Sequence, residues 1–500
     1  MKAIKPIWIV VILSLFTSTF LNQLNLNHLP NEGLREGETV RTNDDLSYLR
    51  PAIHFYKTGI WKDEIKGDLS YFLRPPGYGA IYYLTLVINP NRPLLVLKII
   101  QVLLFSISVY CLYFIALSFL QFKNLALVVA ILYGITPLAS NFLFYTLTEG
   151  VTPSIVIFYF FFLLKAKNQS QPKNKFLYFT LSAFIFSTLF IIRPVLGIFI
   201  GLIPLTVFLS YDLIKHKIIY SIIFIVFGYS FMGFWQYRNY KLTNQYIGLH
   251  PIYYADNNSI YRPTLQEFWN FTLGWAEDGS TVHSYMLPFW ENTIKGDTTK
   301  TYINAIINKF PIYVQQYFGK ERLTDVLTNY QKSILYQKKF YDRHETMPLT
   351  KIEIETTTVL QLQQLVSEFK KEFWFTYYIS SPVKVYAKMA FHSNLSLYIF
   401  QKTYRGNFFM ESLRWFSFLI HSASFISIFL VLFWYKKINF LPYSIYLFSF
   451  IYLFYLSFFQ RGIEERYTLP ILSILLIAFF NSYLFVREIL LQKTNKYKKH

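Results

Sequence analysis

Long apolar runs alternate with short polar connections along most of this chain, and the connections are mostly basic. Several runs reach the roughly 20 residues that a membrane-spanning helix needs. In order they are residues 6–21, 93–120, 125–142, 148–164, 176–192, 194–211, 218–235, 413–435, 440–459 and 468–486. The pattern predicts an all-α polytopic membrane protein with about ten transmembrane helices. Two stretches break it. In the loop 22–92, Leu46, Leu49, Ile53 and Tyr56 recur at helical spacing, which predicts an interfacial helix. Pro51 bends that helix or ends its first turn. Pro75-Pro76-Gly77 is a turn that opens a second interfacial segment, residues 78–88.

The second break runs from residue 236 to about 410 and is polar and aromatic-rich. It predicts a large extracytoplasmic segment between spans seven and eight. Its stretch TVLQLQQLVSEFKKEFWF reads as an amphipathic helix. Residues 383–400 are apolar enough to touch the membrane, but Lys384, Lys388 and His392 argue against a span. Three parts result: a transmembrane module (1–235, with the first outer loop 22–92), the extracytoplasmic segment (236–410), and C-terminal transmembrane helices with a basic cytoplasmic tail (411–500).

Charge orients this array. Lys2 and Lys5 precede the first run, and Lys165, Lys167, Lys173 and Lys175 crowd the connection after the fourth. Lys215 and Lys217 precede the seventh, and Lys436-Lys437 follow the eighth. The positive-inside bias places all of these, and both termini, in the cytoplasm. The predicted location is the inner (plasma) membrane, multi-pass, with membrane lipids as partners. The net charge of +20 is thereby accounted for without nucleic acid. The basic, then apolar N-terminus resembles a signal peptide but has no small-residue cleavage site, so it reads as a retained helix. A single cysteine, Cys111, excludes an intramolecular disulfide.

Candidate chemistry concentrates in the first loop. Asp44 and Asp45 stand side by side just before the predicted helix. One reading is helix capping by Asn43 or Asp44. The other is a general base, because adjacent carboxylates near an apolar surface repel and lose solvation, making one a better proton acceptor. Glu149 stands at the outer end of span four, where a carboxylate suits a helix start. Arg193 ends span five outside, where arginine is uncommon. Arg466 either pairs with Glu464 or Glu465 at the surface or serves a site. No His pair with a carboxylate has zinc-protease spacing, so no zinc site is predicted. No cofactor is implied with certainty; a divalent cation at Asp44, Asp45 or Glu149 is one option. The aromatic stretch 268–290 could stack on sugar faces or mark a membrane interface.

Asp44-Asp45-x-x-Tyr48-x-x-x-Ala52, followed by Gly59-Ile60-Trp61, resembles the first-loop pattern of glycosyltransferase family 39. That family includes protein O-mannosyltransferases and aminoarabinose transferases and is of the C-type, lipid-phosphate-dependent class. Its pattern carries Asp-Glu and Gly-Asp-Trp, so Asp45 and Ile60 depart from it. Residues 71–78, YFLRPPGY, are similar to the family's Tyr-x-Glu-Lys-Pro-Pro segment, with Arg74 where the basic residue contacts donor phosphate. Arg466-Tyr467, with Pro470, resembles the family's entry into a late helix. The resemblance implies catalytic roles for Asp44, Asp45 and Glu149, with Asp44 as base. It implies phosphate contacts for Arg74, Arg193 and Arg466, and substrate contacts for Tyr48, Tyr78 and Tyr467. The implied reaction moves a sugar, with inversion, from a polyprenyl-phosphate carrier to an acceptor hydroxyl on a glycan, lipid or protein, in an extracytoplasmic active site. Two alternatives are a transporter or flippase of lipid-linked sugars, and a glycan polymerase or ligase. Transporters favour midplane charges and repeats, and none is visible here.

Overall fold

The computed structural model describes residues 6–42, 44–62, 74–244, 249, 263–343, 352–391, 406–461 and 465–497. The described residues are mostly helical, with one short antiparallel pair, Leu34–Arg35 with Thr39–Val40. Six helices are long and apolar enough to cross a membrane: Pro6–Asn27, Pro93–Leu120, Pro172–Ile192, Phe408–Phe433, Phe440–Gln460 and Arg466–Gln492. Ile214–Gly228 and Ser230–Leu242, bent by 52°, would together make a seventh. By length and composition, then, six or seven spans stand among the described residues where the apolar pattern predicts ten.

The shortfall has local causes. The run 125–142 is split into the helix Lys123–Ile135 and the four-residue helix Pro137–Ser140, because Thr136 is extended ahead of Pro137. A residue before proline is driven out of the helical region. The run 148–164 opens with a 3-10 turn, Thr148–Gly150, before the helix Thr152–Asn168. The run 194–211 opens as 3-10, Pro194–Gly201, followed by the short helix Leu202–Phe208. Apolar composition marks these runs but cannot show where proline and the turns interrupt them.

The first-loop helix is Asp45–Thr58, and it passes through Pro51 without ending. Leu49 and Ala52 are its buried face. Gly59 terminates it at φ 73°, and its N–H donates to the Phe55 carbonyl at 2.8 Å. That left-handed conformation is one glycine adopts without penalty. The helix packs on Gly77–Ile88 through Tyr48 against the edge of Tyr78 (5.4 Å) and Phe55 against Tyr83 (5.1 Å). Gly77 in turn lies directly on the end of Pro172–Ile192. A Cβ there would stand 2.7 Å from the Ile192 nitrogen and 2.8 Å from the Ile191 carbonyl carbon. This close approach sets Arg74, three residues before Gly77, beside the end of the helix that carries Arg193.

Among the described residues there are two hydrophobic cores. One unites the apolar helices with the first loop. The other is formed by helices between Leu265 and Phe369, with Phe268, Phe271, Phe289, Trp290 and Tyr330 at its centre. There the Trp290 indole N–H donates to the Tyr330 hydroxyl at 3.2 Å. Cys111 is buried as a free thiol.

Candidate active site

Asp44 does not cap the first-loop helix with its side chain. The start of the helix is held instead by its neighbours: the Asp45 N–H donates to Thr42 Oγ1 (3.1 Å), and the Thr42 N–H donates to Asp45 Oδ2 (3.3 Å). Asp44 is left to face the bundle. Its Oδ1 accepts from Arg74 Nη2 at 2.6 Å, and its Oδ2 lies 3.6 Å from Arg466 Nη2. Arg74 is held from two further sides. Its Nε donates to Ser47 Oγ at 3.1 Å, and its guanidinium lies 5.2 Å from the centre of the Tyr48 ring. Ser47 donates its hydroxyl proton to the Asp44 carbonyl at 2.5 Å, closing the turn.

Glu149 lies in the 3-10 turn before its helix and is buried. Its Oε1 accepts from Arg193 Nη1 at 2.9 Å and lies 3.6 Å from Arg466 Nε, while Thr148 Oγ1 donates to Oε2 at 3.1 Å. Arg466 therefore stands between the two acids. The Arg193 guanidinium lies 4.4 Å from the centre of the Tyr467 ring. Tyr467 is fixed through its carbonyl, which accepts from the Tyr452 hydroxyl at 2.8 Å. Two carboxylates and three guanidiniums thus converge from the first loop, the turn before Thr152–Asn168, the end of Pro172–Ile192, and the start of the last span. Phosphate oxygens are natural partners for such a set, since arginine offers a planar fork of donors.

The other predicted residues are placed differently. Asp45 is buried and turned away from the cluster. It takes a two-pronged ion pair from Arg35, Nε to Oδ2 at 3.0 Å and Nη2 to Oδ1 at 2.9 Å. Tyr48 edges the cluster. Burial pushes its phenol up to about 12, against the opposing charge of Arg74, so it stays protonated at neutral pH. Tyr78 is fully buried, and its hydroxyl donates to Gln101 Oε1 at 3.1 Å. Asn43, residues 71–73 and Glu464 lie outside the described residues.

A divalent cation does not fit this donor set. Asp45 is committed to Arg35, and Asp44 and Glu149 each face two guanidiniums. Among the described residues, no group of three or more His, Cys, Asp or Glu could hold a metal ion.

Three residues escaped the sequence reading. Ser47 shares Arg74 with Asp44, and its place one turn into the helix is the only signal it gave. Arg35 carries no pattern that announces its partner. Gln101, with Lys98 and three serines, is among the few polar residues in the apolar run 93–120. Its amide donates to the carbonyls of Leu143 (2.6 Å) and Tyr145 (3.3 Å), which fixes the segment leading to Glu149.

No protein-family model matches the chain, and no curated protein does. Among solved structures it is similar to ArnT from Cupriavidus metallidurans. The crystal structure bound to undecaprenyl phosphate aligns with a TM-score of 0.34 and 9% identity, covering 95% of this chain and 77% of that one. The apo structure aligns with a TM-score of 0.36, 10% identity and the same coverage. At this level the likeness carries no weight for the roles of individual residues, which rest on the geometry of this chain.

Proposed function

We propose that this protein is an integral membrane glycosyltransferase that moves a sugar from a polyprenyl-phosphate carrier to an acceptor hydroxyl, with inversion. One observation carries the reading: Arg74, Arg193 and Arg466 converge on Asp44 and Glu149 beside the apolar bundle. Among the described residues the cluster has one more cation than anion, so an entering phosphate restores the charge balance. A lipid carrier keeps its chain among the helices and its phosphate at the guanidiniums.

In the reaction, Asp44 accepts the acceptor's hydroxyl proton as the oxygen bonds to the anomeric carbon. The bond from that carbon to the phosphate oxygen breaks, and its electron pair leaves with the lipid phosphate. Arg74 and Arg466 stabilise the charge that develops there, while Glu149 holds Arg193 and Arg466 in place. The phosphate competes with Asp44 for Arg74, so donor binding frees the base it needs. Asp45 acts at one remove, by fixing the helix that begins beside Asp44. Tyr48, Tyr78 and Tyr467 shape the walls.

The basic connections support an inner-membrane topology of ten spans with the cluster outside. In it, the shorter apolar helices and the bent pair complete the six long spans. The proposed segment 236–410 holds the second hydrophobic core, while its Val385, Met389 and Ala390 pack in the core of the membrane bundle. A flippase would move its cargo without breaking the glycosyl bond. Purified protein in nanodiscs, given a labelled polyprenyl-phosphate sugar and an acceptor, is expected to release free polyprenyl phosphate and a glycosylated product. Turnover with a nucleotide sugar alone, or release of neither product across a panel of lipid-linked donors, would overturn the reading.

A further inference from the structure

The helix Glu353–Glu372 continues past its end into a π-helical turn, Thr376–Ser380, and then into Ser381–Ala390. Trp374, Phe375, Tyr378, Ile379 and Val383 along this segment are 43–59% exposed. In an unbroken α-helix Val383, nine residues after Trp374, would point to the opposite side. The π-turn absorbs one residue and returns Val383 to the face of the others. The result is one continuous apolar and aromatic stripe.

The opposite face of this segment is packed on the membrane bundle. Val385, Met389 and Ala390 belong to its core. The Tyr386 hydroxyl donates to the Phe425 carbonyl at 3.2 Å, and its ring meets Phe429 at 5.4 Å. The Ala390 carbonyl accepts from Ser422 Oγ at 2.9 Å and pairs with His421 Nδ1 at 3.1 Å. His421 and Phe425 lie about 20 and 26 Å along the span Phe408–Phe433, within its apolar length. Tyr377, on the packed side, lies 4.0 Å under the guanidinium of Arg461, which follows directly on the span Phe440–Gln460. That span is about 30 Å long, the thickness of the hydrocarbon layer, so Arg461 marks its edge.

We infer that residues 373–391 form a helix seated in the bilayer leaflet on the side of the carboxylate–arginine cluster, its aromatic stripe among the acyl chains. The occupant is lipid because the stripe continues the lipid-facing surface of its neighbours: Phe459 at the end of one span, and Trp415 and Phe416 on another, are likewise exposed. Lys371 and Lys384 flank the stripe and are exposed, placed to reach headgroup phosphates. The seat also fixes the second hydrophobic core to the membrane. The Leu273 carbonyl accepts both from Ser381 Oγ on this segment (2.9 Å) and from Arg461 (3.4 Å).

The test needs no mutation, because trypsin releases residues 372–384 as one peptide holding the whole stripe. Wild-type protein in nanodiscs is irradiated with a phospholipid carrying a diazirine on its upper acyl chain. Carbene adducts are expected on Trp374, Phe375, Ile379 or Val383, at roughly tenfold the level on peptide 323–332 of the second core. Adducts on the spanning helices with none on 372–384 would overturn the inference. So would cross-links from 372–384 to a second copy of the chain in place of lipid.

Discussion

Two clusters of charge lie within a few residues of each other in the first loop, and they are built in opposite ways. In the first, every acid has its own cations. Asp45 takes both prongs of Arg35, and Glu38 takes Lys98 Nζ at 2.6 Å together with Arg92. This cluster ties the hairpin to the first-loop helix and to the span Pro93–Leu120. In the second, Asp44 and Glu149 share Arg466 while Arg74 and Arg193 approach from either side. Its contacts to Arg466 are 3.6 Å, longer than a formed hydrogen bond. Closed, saturated pairing suits a structural joint, whereas shared pairing around Arg466 suits the phosphate site we propose.

Breaking the open cluster is expected to cost activity and spare the fold. Asp44→Asn keeps the shape but cannot take a proton, so transfer is expected to fall about 10²–10⁴-fold. The thermal transition in detergent is expected to stay where it is. Wild-type turnover would reduce Asp44 to an ion-pair partner. Next in size is Arg74→Ala, expected to slow transfer about 10²-fold by removing a donor to the leaving phosphate. Arg74→Lys is expected to keep part of the rate, since a point charge replaces a fork. Equal loss in both variants would point to a packing role through Tyr48 and Ser47.

The closed cluster is expected to answer the other way. Asp45→Ala strands Arg35 in a largely buried position and is expected to destabilise the protein by roughly 3 kcal/mol. Its folded fraction is expected to keep kcat within a few-fold. A large kcat loss at unchanged stability would move Asp45 into the reacting group. The smallest effect is expected at Glu38. Burial alone would raise its pKa, but Lys98 and Arg92 outweigh that and hold it below its ordinary 4.5. A depressed carboxylate stabilises the fold above its unfolded pKa and loses that contribution as pH falls through the folded value. The gap in melting temperature between wild type and Glu38→Gln is therefore expected to be full at pH 6 and to shrink below about pH 4.5. A gap that widens on acidification would contradict the pairing.

The apolar pattern carried the fold a long way, because burial in lipid leaves a signal in composition that no turn can erase. All ten predicted runs contain helix. What it missed is local: Thr136-Pro137 and the 3-10 turns at Thr148 and Pro194 shorten three runs through backbone chemistry that hydropathy averages away. In the site, Asp44 and Arg74 were legible because acid, proline turn and arginine lie close in sequence. Their contact spans only 30 residues. Only the family resemblance separated Asp44, as base, from Asp45; the residues alone did not, because adjacent side chains on a helix start diverge and their partners, Arg74 and Arg35, lie on opposite sides in sequence. Arg193 was visible as a misplaced charge and Arg466 through the family resemblance, but their meeting at Glu149 depends on the packing of three helices.

The central claim is that the open cluster binds a lipid phosphate, and binding of polyprenyl phosphate without its sugar tests it apart from chemistry. Melting curves in detergent are measured with polyprenyl phosphate and with the matching polyprenol. Polyprenyl phosphate is expected to raise the melting temperature of wild type and of Glu38→Gln. The polyprenol is expected to have little effect, and Arg74→Ala and Arg466→Ala are expected to lose most of the rise. An equal shift from both lipids, or one that survives both arginine substitutions, would contradict the account.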